Sequence, residues 1–210
     1  MRLFVAIVPP PGALAELATA VHQLRAEAAP RHGDADAAEA GVDPRRAGTE
    51  PRLRWTSTEQ WHLTLAFLGE VDDSVMTKLR PRLQRAAARH PVQRLAIAGA
   101  GAFPSPHKAR VLWAGLRADN RAIAALAASV AAGARRAGAP SPDEGRRFTA
   151  HLTLARCRDT ADLSHFSTGL AGFAGQEWTA DLVRLVRSYL SAGAPRYETV
   201  GEWPLRPEPT

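Results

Sequence analysis

Trp61-His62-Leu63-Thr64-Leu65-Ala66-Phe67-Leu68-Gly69 has a counterpart far downstream, Arg147-Phe148-Thr149-Ala150-His151-Leu152-Thr153-Leu154-Ala155-Arg156. Each stretch reads as a strand, in which residues two apart share a face. His62 and Thr64 then point one way, while Leu63 and Leu65 point into a core. His151 and Thr153 do the same against Leu152 and Leu154. The repetition reaches upstream, with Arg54-Trp55-Thr56 before the first motif and Arg147-Phe148-Thr149 before the second. The spacers differ, so the duplication is not literal, but it suggests two related lobes that each contribute one strand. Seven histidines and thirteen threonines in 210 residues give about 0.4 chance occurrences of His-x-Thr. Two occurrences with the same leucines and a following alanine exceed what composition supplies.

Working outward, residues 2–8 read as a buried strand stopped by Pro9 to Gly12. Residues 13–29 carry Leu14, Leu17, Val21 and Leu24 on one helical stripe. Strands are expected at 52–56 and 62–68, and a helix over 72–89 starting from an Asp72 or Asp73 cap. Further strands follow at 92–98 and 109–116, then an alanine-rich helix over 119–137 ending before Gly138. A polar loop at 139–146 precedes strands at 147–156, 181–190 and 196–203, with a short irregular or helical piece near 160–172. This mixed order predicts α+β layers and not repeated βαβ units. Residues 31–50, with Val42 as the only large apolar side chain, read as a flexible surface insertion outside the chemistry.

The length suits one domain, or two small lobes sharing an interface. Apolar residues make up 45%, enough for a real core. No apolar run approaches the roughly 20 residues of a membrane span. The N-terminal run is short and ends at Pro9 without a small-residue cleavage site, so it reads as a first strand and the protein as cytoplasmic and free of membrane. Cys157 is the single cysteine, which removes internal disulfides and paired-cysteine zinc sites. At the end of an apolar run it reads as a plain buried thiol. The net charge of +6 favours a polyanionic partner, although a general alanine and arginine bias produces the same number.

If the two lobes are related by a pseudo-two-fold axis, two imidazoles and two hydroxyls converge across one cleft. That set suits in-line attack on a phosphodiester. One imidazole accepts a proton from the nucleophile and the other protonates the leaving oxygen, each worth typically about 10²–10⁴-fold. Histidine titrates near neutral pH, so one ring can be neutral while the other is charged. The Thr64 and Thr153 hydroxyls can hold phosphate oxygens. No His-Glu-x-x-His helix, cysteine cluster or third carboxylate accompanies either motif, so no metal and no cofactor are expected. Arg156 lies five residues after His151, which in a regular strand puts it on the far face. A bulge or a strand end brings it back, and its guanidinium would then suit phosphate.

These motifs, with Met1-Arg2-Leu3-Phe4-Val5-Ala6, Arg110-Val111-Leu112-Trp113, Leu185-Val186-Arg187-Ser188-Tyr189-Leu190 and Tyr197, resemble the two-histidine phosphoesterase superfamily. Within it the chain is similar to the bacterial RNA 2′,3′-cyclic phosphodiesterases of the 2′-5′ RNA ligase type. The resemblance covers nearly all of the chain outside 31–50. It implies a single α+β domain over 1–210 made of two interleaved lobes, with two antiparallel sheets related by a pseudo-two-fold axis around a cleft and helices outside. It implies hydrolysis of RNA 2′,3′-cyclic ends to 2′-phosphomonoesters, with reversible 2′-5′ ligation as a further capacity, in a monomer whose partner is RNA. His62 is then the proton donor and His151 the proton acceptor. Thr64 and Thr153 hold the phosphate, Arg156 binds it, and Phe148 or another cleft aromatic stacks on the terminal base. Ala150 departs from the proline usual before the second histidine, which loosens that turn. A phosphodiesterase for small cyclic nucleotides, or an RNA-binding module without catalysis, remains as an alternative reading of the same residues.

Overall fold

The structure is a computed structural model that describes residues 1–28, 53–189 and 195–207. The expected insertion at 31–50 lies outside the described residues. The elements run β1 (Arg2–Ile7), α1 (Pro11–Ala28), β2 (Leu53–Trp55), β3 (Leu63–Glu70), α2 (Asp73–Ala87), β4 (Gln93–Phe103) and β5 (Ala109–Arg117). They continue with α3 (Asn120–Ala137), β6 (His151–Ala161), α4 (Ser164–Gly169), β7 (Trp178–Ala180), β8 (Leu182–Tyr189) and β9 (Arg196–Pro204).

The described strands are antiparallel, in the order β7-β4-β5-β6-β3-β1-β8-β9, with β2 paired to β6. The path is continuous, but its middle is thin: β3 and β6 meet at one pair, Leu63 with Leu152. That pair divides the curled sheet into two arrays of four strands. One array, β3-β1-β8-β9, packs with α2 and α3 over a core containing Leu65, Leu83, Leu126 and Leu185. The other, β6-β5-β4-β7, packs with α1 over Leu17, Leu24, Leu112 and Leu154. The helices cover one face of the sheet because their apolar stripes must be buried, as with Leu17, Val21 and Leu24 of α1. The other face carries the histidines. The lobes interleave along the chain, since α1 and β2 serve the second array while β1 and β3 serve the first. No helix among the described residues is long and apolar enough to cross a membrane.

Several boundaries differ from the sequence expectation. α3 is not among them: it matches the expected 119–137 to within a residue, starting from its Asp119 cap, whose carboxylate accepts from the Arg121 and Ala122 amides at 2.9 and 3.1 Å, and stopping at Gly138 with φ +91°. β4 runs on to Phe103. The stretch Ala98-Gly99-Ala100-Gly101 hides this extension because it lacks large side chains. Gly101 is required there, since a Cβ would lie 2.3 Å from the Trp113 indole. The second motif strand starts at His151 and not at 147. Residues 147–150 lead into it without pairing. β7 was not expected; three residues pairing with β4 leave no periodicity to read.

Candidate active site

The Leu63–Leu152 pair fixes the geometry of the cleft. Antiparallel pairing at that point sets His62 level with Thr153 and Thr64 level with His151. Both leucines are buried, at 1% and 0% exposure, so the four flanking polar side chains share the other face. The structure thus brings together the four residues singled out from the sequence.

Both imidazoles are held in the same way. His62 Nδ1–H donates to the Gln60 carbonyl at 2.7 Å, and His151 Nδ1–H donates to the Thr149 carbonyl at 2.7 Å. A carbonyl can only accept, so in the neutral rings the proton sits on Nδ1 and Nε2 carries the free lone pair. The Gln60 carbonyl is itself anchored. Its side-chain amide donates to the Pro195 carbonyl at 2.7 Å, and its Oε1 accepts from the Ser57 amide at 3.0 Å.

Aromatic rings wall each histidine. Phe4 stacks on His62 with centroids 4.6 Å apart, and Tyr197 meets it edge-on at 5.3 Å. Phe103 meets His151 edge-on at 5.0 Å, and Trp113 lies at 6.2 Å. Burial among these groups pushes His62 down to about 4; the Gln60 carbonyl opposes this, and the charges of His151 and Arg156 add to it. His151 is lowered for the same first reason, opposed by the Thr149 carbonyl and assisted by Arg156. Arg156 therefore acts electrostatically on both rings. Among the described residues no hydrogen bond engages the Thr64 or Thr153 hydroxyl, and no group of three or more His, Cys, Asp or Glu side chains converges as a metal site. A pocket of about 160 Å³ opens beside His62, between Phe4, Arg184, Tyr197 and Thr199.

Arg156 reaches the cleft face through a bulge. Thr153 pairs with Trp113 but Ala155 pairs with Leu112, which leaves Leu154 as an extra residue. Leu154 and Ala155 are both buried, and Arg156 is exposed. Thr56 clamps this bulge. Its amide donates to the Leu154 carbonyl at 2.9 Å. Its hydroxyl lies 2.9 and 2.8 Å from the Thr153 and Leu154 carbonyls while accepting from Trp61 Nε1 at 2.9 Å. The first motif bulges at the equivalent place, since Thr64 pairs with Ala6 and Ala66 with Val5, leaving Leu65 extra. The bulge brings Phe67 to the cleft face opposite Phe4, 42% exposed. Phe67 thus occupies in the first lobe the place that Arg156 occupies in the second.

Phe148 is not brought to the site. It packs, half-buried, against the core under α2 and α3. The ring walls Phe4, Tyr197, Phe103 and Trp113 were not assigned to the site from the sequence, and neither was Phe67. Phe67 lies within the first motif, so position in the repeat was the available signal.

Residues 40–113 match the family model described as LigT like Phosphoesterase. An RNA 2′,3′-cyclic phosphodiesterase of Aeropyrum pernix is 30% identical over 159 residues, covering 74% of this chain and 88% of that protein. The crystal structure of TT0787 of Thermus thermophilus superposes with a TM-score of 0.69 at 26% identity, covering 99% of this chain and 100% of that one. Escherichia coli LigT complexed with 3′-AMP gives a TM-score of 0.67 at 26% identity, covering 97% of both chains. A curled antiparallel sheet with a matched pair of His-x-Thr strands and relatives of this kind have one source: the chain belongs to the LigT-like phosphoesterases of the two-histidine superfamily, the family that includes the RNA 2′,3′-cyclic phosphodiesterases.

Proposed function

We propose that the chain hydrolyses RNA 2′,3′-cyclic phosphate ends to 2′-phosphomonoesters by acid–base catalysis from His62 and His151, without a metal. The observation that carries this reading is the matched pair of Nδ1-to-carbonyl bonds, which leaves both Nε2 atoms for one cleft beside Arg156. Water attacks phosphorus in line and gives its proton to His151 Nε2. The bond from phosphorus to the 3′ oxygen breaks, and His62 Nε2 supplies the proton to that oxygen. The Thr64 and Thr153 hydroxyls bond the non-bridging oxygens, and Arg156 offsets the developing charge. A 5′-hydroxyl of a second strand in the place of water gives 2′-5′ joining. Phe67 is the ring open to the cleft and takes the stacking role in place of Phe148.

One observation favours the reverse assignment: the ring held lower in the free protein is His62, which suits a base. A bound phosphate anion raises both rings, so the free-state order does not fix the order in the complex. A substrate with sulfur in the 3′ bridging position, which leaves without a proton, separates the two. It restores turnover to the variant that lacks the acid, expected to be His62→Ala, and not to the variant that lacks the base.

The direct test is turnover of a cyclic-ended oligonucleotide in excess chelator. His62→Ala and His151→Ala are each expected to lose at least ~10²-fold in kcat with the fold intact. Turnover that requires added metal removes the mechanism. Equal activity on 3′,5′-cyclic mononucleotides favours the small-nucleotide reading, and salt-dependent RNA binding without product favours a binding module.

A further inference from the structure

Along a regular strand successive carbonyls point to opposite sides. At the bulge of β6 two in a row, those of Thr153 and Leu154, converge on one hydroxyl, Thr56 Oγ1, at 2.9 and 2.8 Å. An extra residue takes its groups out of the ladder, and a carbonyl withdrawn from water needs another donor. The Thr56 hydroxyl is that donor. Trp61 Nε1 donates to the same oxygen at 2.9 Å, so the hydroxyl keeps its one proton for the carbonyls. Trp61 is buried, at 3% exposure, and stands next to His62. Thr56 therefore ties the approach to the first histidine to the bulge that follows the second. The consequence lies one residue on from that bulge. Leu154 and Ala155 both face the core, the parity of the strand reverses, and the charge of Arg156 then acts on His62 and His151. Without the bulge the guanidinium would lie on the helix side of the sheet. Among the described residues the equivalent bulge at Leu65 carries no side-chain hydrogen bond of this kind. That bulge delivers a ring, Phe67, whereas the clamped one delivers a guanidinium, whose paired bonds to phosphate oxygens demand a fixed geometry.

We propose that Thr56 is a positioning residue of the cleft, its hydroxyl holding the bulge that turns Arg156 onto the phosphate. This rests on the reading of Arg156 as a cleft phosphate ligand. Thr56 itself touches neither the substrate nor the reacting atoms, and its effect on the reaction runs through Arg156.

The test uses Thr56→Val, which keeps the shape and the backbone amide bond to Leu154 but removes the hydroxyl, and Thr56→Ser, which keeps the hydroxyl. The first arm needs no turnover: Kd for inorganic phosphate is measured by calorimetry in these variants, in Arg156→Ala and in the Thr56→Val, Arg156→Ala double variant. Thr56→Val is expected to weaken phosphate binding by roughly 10-fold. Thr56→Ser is expected to stay within about 2-fold of wild type. In the Arg156→Ala background the valine substitution is expected to add less than about 2-fold, because no guanidinium is left to place. The second arm repeats the cycle on kcat/KM for a cyclic-ended oligonucleotide, with the same non-additivity expected. Thr56→Ala, which relieves crowding of the two carbonyls, gives the same reading where the valine variant does not fold, and circular dichroism at the assay temperature establishes which variants are folded. Wild-type phosphate affinity in the variants without the hydroxyl overturns the proposal. Additive losses in the double variant overturn it as well, since they give the hydroxyl a role in stability apart from Arg156. Arg156→Ala with wild-type phosphate affinity removes the reading beneath the proposal and the proposal with it. Failure of the wild-type protein to turn over the oligonucleotide counts against the hydrolytic reading, while the phosphate cycle still decides the role of Thr56.

Discussion

His62 and His151 share one orienting bond but sit in different surroundings, and the difference has measurable consequences. Phe4 lies flat on His62, while His151 meets Phe103 edge-on and Trp113 at a tilt. Burial lowers both, His62 to about 4. Catalysis needs one ring charged and the other neutral, and in the free protein that form is most populated between two values that both lie below 6.5. A pH profile of kcat/KM is therefore expected to be a bell centred on the acid side of 6.5. The kcat profile, which reports the complex, is expected to centre higher because the phosphate anion raises both rings. A kcat/KM bell centred above about pH 7 contradicts the buried, carbonyl-held rings. The same shift links pH to stability. The folded values are depressed, so between 6.5 and about 4 the unfolded chain binds more protons. Stability is expected to fall as the pH drops through that window. His90, lowered by burial, adds the same sign. His62→Gln should flatten the dependence of the melting temperature on pH, and inorganic phosphate should restore stability in the wild-type protein at about pH 5. A slope unchanged by His62→Gln would show that His62 titrates normally.

Strand β3 and strand β6 carry the same irregularity, and it explains where alternation succeeded and where it failed. Before the bulge, period two places His62 with Thr64 and His151 with Thr153, as the sequence indicates. After it, the parity reverses, and Arg156 and Phe67 arrive on the cleft face. Nothing local marks the extra residue, because Leu65 and Leu154 are ordinary buried leucines. What fixes the second bulge is Thr56, the residue just after β2, nearly a hundred positions away. For the same reason the sequence pointed to Phe148, which stands close to His151 in the chain but leads into β6 without pairing and packs toward the helices. The two phenylalanines should separate in experiment. Phe67→Ala is expected to raise KM for a cyclic-ended RNA by roughly 5- to 150-fold, the range for losing one base–aromatic stack. Inhibition by inorganic phosphate and the melting temperature should stay near wild type, since Phe67 is largely exposed and phosphate has no base. Phe67→Trp should keep the affinity. Phe148→Ala should do the opposite, lowering the melting temperature while leaving KM unchanged. A Phe67→Ala variant with wild-type KM would leave the exposed ring without a ligand.

At the scale of the molecule, the repeated motif by itself suggests two lobes; that they interleave is implied only by the family resemblance. Equivalent strands are recognisable because the chemistry repeats; the crossings are not, because a connection leaves no periodic mark. The chain passes from β1 in one array to α1 and β2 against the other, then returns through β3. Neither lobe can therefore complete its core while the other is unfolded. Only Leu63 and Leu152 join the arrays by strand pairing among the described residues, yet each belongs to a different core, Leu63 to that of α2 and α3 and Leu152 to that of α1. Interleaving predicts one cooperative unfolding transition and not two. The tryptophans allow this to be seen, because Trp61 reports the core under α1 and Trp203 the core under α2 and α3. Denaturant curves from tryptophan fluorescence, in variants keeping only one of these reporters, should coincide with each other and with the circular-dichroism curve. Leu63→Ala removes a fully buried side chain and is expected to cost about 2–5 kcal/mol. It should shift all of these curves together and not split them. It should also reduce turnover beyond what the lost stability explains, because the leucine pair sets His62 level with Thr153. Two separated transitions, or a Leu63→Ala variant destabilised in one reporter alone, would mean that the lobes fold independently and that the cleft is assembled by docking, not by the threading of the chain.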